Sequence, residues 1–176
     1  MLGNNWVVKA ISSLDTEITW DETGTTFESN AKIKVEALMA HCQDLILGDD
    51  SGLEVDALNG EPGVYSSRYA GADGDDAANN QKLIKELADT PDERRTARFR
   101  CCLCLLDESG EFHYFNGSCE GTIGHDLIGN EGFGYDPLFY PEGSSKTLAE
   151  YPAEEKNKIS HRAKALQSFL KFMAAS

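Results

Sequence analysis

The chain has 176 residues, a length that predicts one domain over residues 1–176, and it carries 30 Asp and Glu against 16 Lys and Arg, for a net charge of −14. This acidic balance argues against binding to a nucleic-acid polymer, and no apolar run approaches the ~18 residues that a membrane span needs. An odd number of cysteines, five, and a first segment without signal-peptide regions predict a protein of the reducing cytoplasm.

Hydrophobic periodicity and turn residues predict helices and strands interspersed along the chain. In chain order, we expect a strand at 6–10, a helix at 25–42, a segment 44–58 that starts as a strand and runs into an acidic turn, a turn-rich loop at 59–71, a helix at 75–89, a hairpin of strands 96–107 and 112–121, a glycine-rich stretch at 129–140 and a helix at 153–173. This order predicts an α/β or α+β fold with a mixed sheet.

Two adjacent carboxylates, Asp49 and Asp50, follow the apolar run 45–47 and precede a Ser-Gly turn signal. Acidic side chains at the end of a buried strand are a common place for metal and phosphate chemistry in α/β folds. Mg²⁺ takes oxygen ligands and bridges to substrate phosphates. The stretch therefore indicates either a magnesium and phosphate site or an Asx-turn that closes the strand.

Glu28 lies in the first turn of the helix predicted at 25–42, three residues after Thr25. This spacing fits a capping box, in which the two residues satisfy the free amide groups at the start of a helix. The same carboxylate is also a candidate second ligand for the metal, and the sequence leaves both interpretations open.

The stretch GFGYDP, residues 132–137, places two glycines around Phe133 and continues with Tyr135 and Asp136. Glycine lets the backbone approach a flat ligand, and an aromatic ring can stack on a base. The alternative is an aromatic turn before a strand. The glycines do not fit a dinucleotide-binding fingerprint, which needs a third glycine that opens a helix.

A basic cluster near the C-terminus stands out in so acidic a chain. Lys158 and Lys164 are expected on a solvated helix face. Lys156, His161 and Arg162 bring three kinds of donor together within seven residues, which is typical of a site for phosphate or carbonyl-type acceptors.

Taken together, the stretches TFESNAKIKVEAL, DDSGLEVDALNGEPGVYSSRYAG, GFGYDPLFY and KTLAEYPAEEKNKISHRAKAL resemble the inosine/xanthosine triphosphate pyrophosphatases. The resemblance runs from about residue 6 to residue 172, with the motifs in the family's order and spacing. It implies hydrolysis of ITP, dITP and XTP to the monophosphate and pyrophosphate with Mg²⁺, by a homodimer. It also implies an α/β fold with an elongated central mixed β-sheet flanked by helices, and an active cleft between two lobes.

The resemblance also implies roles for residues of this sequence. Asp50 corresponds to the family's proton acceptor and metal ligand. Whether it acts as the base or only as a metal ligand stays open. Glu28 corresponds to a helix-borne metal carboxylate, although a second acidic residue that is common in the family is Ser29 here. The substrate-binding positions are Ser51, Phe133, Gly134, Tyr135, Asp136, Lys156, His161 and Arg162.

His161 and Arg162 are the pair expected to read the purine. Hypoxanthine and xanthine carry the acceptor O6, whereas adenine carries a donor amino group at the same position. A site built from donors would pair with O6 and oppose adenine, a mismatch that can cost a factor of ~10⁴. Guanine also carries O6, and the sequence does not explain its rejection.

The start of the chain departs from the family. The family begins with a strand and a phosphate loop of the type T/S-x-N-x-x-K, whereas Asn4 and Asn5 here have no Lys three residues later. We therefore expect the chain to lack the first strand and that loop. Because charge-assisted contacts to phosphate would be lost, the alternative function is a catalytically weakened purine-nucleotide-binding protein.

Overall fold

The computed structural model describes residues 6–14 and 17–175. Its α-helices and strands are α1 (Phe27–Met39), β1 (Ile46–Val55), α2 (Asp76–Glu86), β2 (Thr96–Leu106), β3 (Phe112–Ile123), β4 (Phe139–Pro141), α3 (Ala153–Ile159) and α4 (His161–Ala175). Short 3₁₀ helices cover Ile11–Ser13, Asp56–Leu58, Gly63–Arg68, Asp92–Arg94 and Leu148–Glu150. The predicted helices and strands between residues 25 and 123 are thus confirmed in kind, with ends that differ by a few residues.

The four described strands form one sheet in the order β1-β2-β3-β4. The combination of helices with one sheet confirms the α/β class. Every described strand pair is antiparallel, so the parallel pairing that a mixed sheet requires is not found among the described residues. β2 and β3 are joined by a short turn, which permits only antiparallel pairing. They pair over their whole length, from Thr96 opposite Thr122 to Leu106 opposite Phe112.

Helices cover both faces of this sheet. On one face, α1 buries Ala31 and Val35 against Cys102 and Cys104 of β2. On the other face, α4 buries Ala165 and Phe169 in a cluster with β2 and β3. Because side chains alternate along a strand, neighbouring residues of β1 are directed to different helices.

Glycine lets α4 approach the sheet closely. A Cβ atom added to Gly117 of β3 would lie 2.2 Å from the His161 carbonyl oxygen and 2.5 Å from the Ala165 amide nitrogen. Contacts this short do not occur, so only glycine allows the first turn of α4 to lie against β3. Gly117 therefore helps to fix the position of His161 and Arg162.

Three predictions about local structure are wrong. Residues 6–10 are exposed and belong to no strand. Strand β1 does not turn at Ser51 but continues to Val55, because β2 offers a partner at each position. The last predicted helix is two helices, since Ser160 adopts an extended conformation between them.

The predicted helix cap is also wrong in its residues. Thr26 and Ser29 form the capping box of α1: the Thr26 hydroxyl accepts from the Ser29 amide at 3.1 Å, and Ser29 Oγ accepts from the Thr26 amide at 3.1 Å. Glu28 is therefore free of the capping role. Asn4 and Asn5 lie outside the described residues, and none of the described helices is long and apolar enough to cross a membrane.

Candidate active site

Asp50 lies in the middle of β1 and is directed towards α1. It is 6% exposed, and its Oδ1 accepts a hydrogen bond from Lys34 Nζ at 2.7 Å. Its Oδ2 is buried and makes no hydrogen bond of normal geometry with the described residues, although the Asn30 side chain lies near enough to lower the pKa of the carboxyl group. Burial raises the pKa of the Asp50 carboxyl group, and the nearby Lys34 ammonium only partly offsets this effect. A buried carboxylate with one free oxygen can take a proton or bind a cation.

The Asp50 cluster extends to residues that the sequence did not single out. Lys34 Nζ also lies 2.9 Å from Glu22 Oε1, and Arg68 Nη1 lies 3.0 Å from Glu22 Oε2. The ammonium of Lys34 thus lies between two carboxylates, where a positive charge is stabilised. Glu22 lies in a segment without helix or strand periodicity, so only its acidic character within the stretch DETG, residues 21–24, could have pointed to it.

Glu28 is partly exposed and forms no ion pair or hydrogen bond with any other described residue. It lines a cavity of about 410 Å³ together with Glu54, Tyr65 and Arg100, on the same face of the sheet as Asp50. The predicted metal-binding role of Glu28 therefore stays a prediction, with Glu22 as a competitor for it.

Arg162 lies on the opposite face of β1, in the first turn of α4. Its Nε and Nη2 lie 2.9 and 2.8 Å from Asp49 Oδ2, and Nη2 donates to Ser51 Oγ at 3.1 Å. The predicted residues Ser51 and Arg162 are thus in direct contact. Asp49, first considered together with Asp50 as a metal carboxylate, instead holds the arginine.

An exposed aromatic ring lies beside this arginine. Phe133 is 61% exposed, with Lys156 Nζ 4.6 Å and Arg162 Cζ 6.0 Å from its ring centroid. Lys156 also forms an ion pair with the buried carboxylate of Asp136, which accepts from the Phe133 amide at 2.8 Å. These contacts bring four predicted residues together around one exposed ring.

The rest of the glycine-rich loop holds Phe133 in place. Gly134 has a φ of +60°, its amide donates to Asp76 Oδ2 at 2.7 Å, and its carbonyl accepts from Asn80 Nδ2 at 2.8 Å. Tyr135 is buried and its hydroxyl donates to the Ser66 carbonyl at 2.8 Å. Gly134 and Tyr135 therefore anchor the loop to α2 and to the segment after β1.

His161 is buried at the start of α4, with its ring stacked on Phe99 at a centroid distance of 4.9 Å. Burial, together with the positive charges of Arg162 and Lys156, lowers the pKa of His161 to about 3. The ring is therefore neutral at pH 7. Its Nδ1 is buried and has no partner among the described residues, so the imidazole keeps one unused polar atom.

The site thus has two parts that share strand β1. One part, on the α1 face, is a carboxylate and lysine cluster suited to a cation and phosphates. The other part, on the α4 face, has an exposed aromatic ring flanked by arginine and lysine, which is suited to a base. An aromatic platform for a base and a carboxylate cluster for phosphates, joined by one strand, are the parts that an enzyme acting on nucleotides needs.

Residues 1–172 match the Ham1 family, and the chain belongs to this family. It is 51% identical over 168 residues to a dITP/XTP pyrophosphatase of Exiguobacterium sibiricum, covering 95% of this chain and 85% of that protein. It is 45% identical over 168 residues to a dITP/XTP pyrophosphatase of Bacillus subtilis, covering 96% of this chain and 85% of that protein. The family predicted from the four sequence motifs is confirmed.

Solved structures agree with this assignment. The structure of the Staphylococcus aureus Ham1 protein superposes with a TM-score of 0.84 at 42% identity, covering 92% of this chain and 82% of that chain. A HAM1 protein from Coxiella burnetii gives a TM-score of 0.83 at 40% identity, covering 89% and 80% of the two chains. The α/β fold expected from the resemblance is therefore confirmed.

Proposed function

We propose that this protein hydrolyses non-canonical purine nucleoside triphosphates, namely ITP, dITP and XTP, to the monophosphate and pyrophosphate. The observation that carries the proposal is the exposed ring of Phe133 with Arg162 and Lys156 beside it, together with the carboxylate cluster of Asp50 on the other face of β1. Relatives that are 51% and 49% identical to this chain in sequence are named dITP/XTP pyrophosphatases, which supports the same substrate class for this chain.

The base would stack on Phe133, and Arg162 would donate to O6 of hypoxanthine or xanthine. The neutral ring of His161 can donate one hydrogen bond at most, from whichever nitrogen carries the proton. An adenine amino group would meet the same donors and lose a hydrogen bond, which favours deaminated bases. Asp136 and Lys156 would hold the loop that carries Phe133.

Asp50 would act on the water that attacks the α-phosphate. Its free Oδ2 can accept the water proton, and burial brings its pKa closer to neutrality, as a general base requires. Lys34 would orient the carboxylate through Oδ1. The deprotonated water would bond to the α-phosphorus as the bond from that phosphorus to the α,β-bridging oxygen breaks, so that pyrophosphate leaves with the bridging oxygen.

The carboxylate cluster also fits a divalent cation. Asp50 offers a buried oxygen without a partner, and one or two carboxylates suffice for Mg²⁺ when substrate phosphates supply other ligands. When bound, Mg²⁺ neutralises phosphate charge and orients the attacking water. Asp50 would hold the cation together with a second carboxylate. The candidates are Glu22, which shares the Lys34 ammonium group with Asp50, and Glu28.

The experiment that tests the proposal measures pyrophosphate release from ITP, dITP and XTP, each in Mg²⁺ and in EDTA, with ATP and GTP assayed separately as comparison substrates. We expect metal-dependent release from the first three and little from ATP. Arg162→Ala is expected to lose most ITP activity; a kcat/KM within about twofold of wild type would contradict its role. Binding of ITP without turnover would favour the weakened nucleotide-binding protein instead.

Two matched variants separate the candidate metal ligands. Glu22→Gln is expected to raise the Mg²⁺ concentration needed for half-maximal activity by at least about tenfold, because even the residues that only support metal ligands typically change metal affinity by 10–100-fold. Glu28→Gln should do the same only if Glu28 is the ligand. Isothermal titration with Mg²⁺ and the product IMP gives a second reading that does not depend on turnover.

The family resemblance also leads us to propose a homodimer in the cytoplasm, with the cleft between two lobes of a single domain. Multi-angle light scattering on the purified chain tests the dimer, and a monomeric mass at micromolar concentration would exclude it. Fractionation of the source cells tests the location.

A further inference from the structure

Asp49 takes no part in the proposed reaction, yet it makes the closest contacts of Arg162. Its Oδ2 accepts from both Nε and Nη2, at 2.9 and 2.8 Å. Ser51 Oγ accepts from Nη2 at 3.1 Å. Two acceptors on one edge of a planar guanidinium fix both its position and the direction of its plane.

These contacts leave a defined part of Arg162 available. Arginine has five N–H donors, and those of Nε and Nη2 point to Asp49 and Ser51. Across residues 6–14 and 17–175, the hydrogen bonds and ion pairs of the Arg162 side chain are made by Nε and Nη2 and none by Nη1. The guanidinium carbon is 6.0 Å from the Phe133 ring centroid, which brings the guanidinium group within reach of a base stacked on that ring.

The ion pair contributes little to folding. The side chains of Arg162 and Asp49 are 39% and 42% exposed, and ion pairs this exposed typically add little to stability. The backbone offers no reason for an acid at this position either, because β1 pairs with β2 through main-chain atoms. The effect of Asp49 is therefore on the orientation of Arg162.

We propose that Asp49 is a positioning residue for substrate selection: it directs the Nη1 donors of Arg162 towards O6 of the purine. This proposal rests on the proposed function. Without Asp49, the guanidinium would turn about its last torsions and meet adenine and hypoxanthine less selectively. Asp49 would thereby determine base preference, while its neighbour Asp50 serves the phosphates.

The test compares Asp49→Asn and Asp49→Glu with wild type on ITP and on ATP. Asp49→Asn is expected to raise KM for ITP by at least ~10-fold, since a charge-assisted bond is lost, with kcat within about threefold. Its ratio of ITP to ATP kcat/KM should fall, and Asp49→Glu should restore part of it. The control Asp56→Asn removes a similar exposed partner, that of Arg98 at 2.9 Å, and should change neither parameter.

Three outcomes overturn the proposal. An unchanged KM and base preference in Asp49→Asn would mean that the pair has no function. A lower KM would mean that Asp49 competes with the substrate for Arg162, and a loss of kcat alone would place Asp49 in the chemical step. If wild type releases no pyrophosphate from ITP, the proposed function is wrong, but the role of Asp49 can still be tested. Calorimetry with IMP is then expected to give about tenfold weaker binding to Asp49→Asn than to wild type, and equal binding would overturn the proposal.

Discussion

Asp50→Asn is a substitution for which the structure predicts a large loss of turnover without a matching loss of stability. Burial raises the pKa of the Asp50 carboxyl group although Lys34 Nζ lies 2.7 Å away, so desolvation outweighs the attraction of the lysine. An amide of the same shape removes that desolvation cost. Lys34 keeps Glu22 Oε1 at 2.9 Å and the Asp49 carbonyl at 3.0 Å. We expect the free energy of unfolding to stay within about 1 kcal/mol of wild type or to rise.

Turnover of the same variant is expected to fall by at least ~10², since removal of a general base costs 10²–10⁴-fold. The matched variant Lys34→Met leaves the carboxylates of Asp50 and Glu22 without their shared cation. Loss of one partner of a buried pair costs 3–5 kcal/mol, and for a lysine that is 18% exposed we expect about 3 kcal/mol. That corresponds to a Tm decrease of ~6–12 °C.

Urea denaturation at pH 7 and pyrophosphate release from ITP are measured on both variants. A loss of more than about 2 kcal/mol in Asp50→Asn with a loss of less than about 1 kcal/mol in Lys34→Met would contradict the prediction, because the Asp50 charge would then stabilise the fold. Unchanged turnover in Asp50→Asn would remove Asp50 from the chemistry.

Three further predictions concern the α4 face. Because the pKa of His161 is lowered from 6.5 to about 3, the unfolded chain binds a proton that the folded protein does not, and the free energy of unfolding falls as the pH drops from 6.5 towards 3. An NMR titration of the His161 ring with a midpoint near pH 6.5 would contradict this. Lys156→Met leaves the Asp136 carboxylate buried without its partner and should raise KM for ITP at least ~10-fold. The control Lys158→Met, on the exposed face of α3, should leave KM unchanged. Equal KM values for the two variants in steady-state assays would contradict a special role of Lys156. Gly117→Ala should displace α4 and cost ~1–3 kcal/mol with loss of ITP turnover; full activity and an unchanged Tm would show that α4 adapts.

Much of the fold follows from local sequence pattern. The long apolar run of β2, the short turn after it and the periodic face of α1 were predicted because each depends on residues close in sequence. The course of β1 could not be predicted in this way. Ser51 and Gly52 are turn residues by propensity, but the partners supplied by β2 override that preference.

The site was predictable where residues act within a motif and not where distant segments meet. Phe133, Asp136 and Arg162 belong to compact motifs, and the structure brings them together. Glu22 was missed because its importance depends on Lys34, twelve positions further on, and on Arg68, 46 positions further on. The capping box was assigned to Thr25 and Glu28 because the one-residue offset to Thr26 and Ser29 cannot be read from spacing alone.

The wrong prediction of a turn after Asp50 has a functional consequence. A turn would allow both carboxylates of the Asp-Asp pair to point into one metal site. A continuous strand cannot do this, because successive side chains lie on opposite faces. Asp50 therefore meets Lys34 on one face, and Asp49 meets Arg162 on the other. Since the two carboxylates are attached to adjacent residues of a paired strand, the cluster suited to phosphates and the donors suited to the base are held in a fixed relation, and a one-residue shift of β1 would exchange their roles.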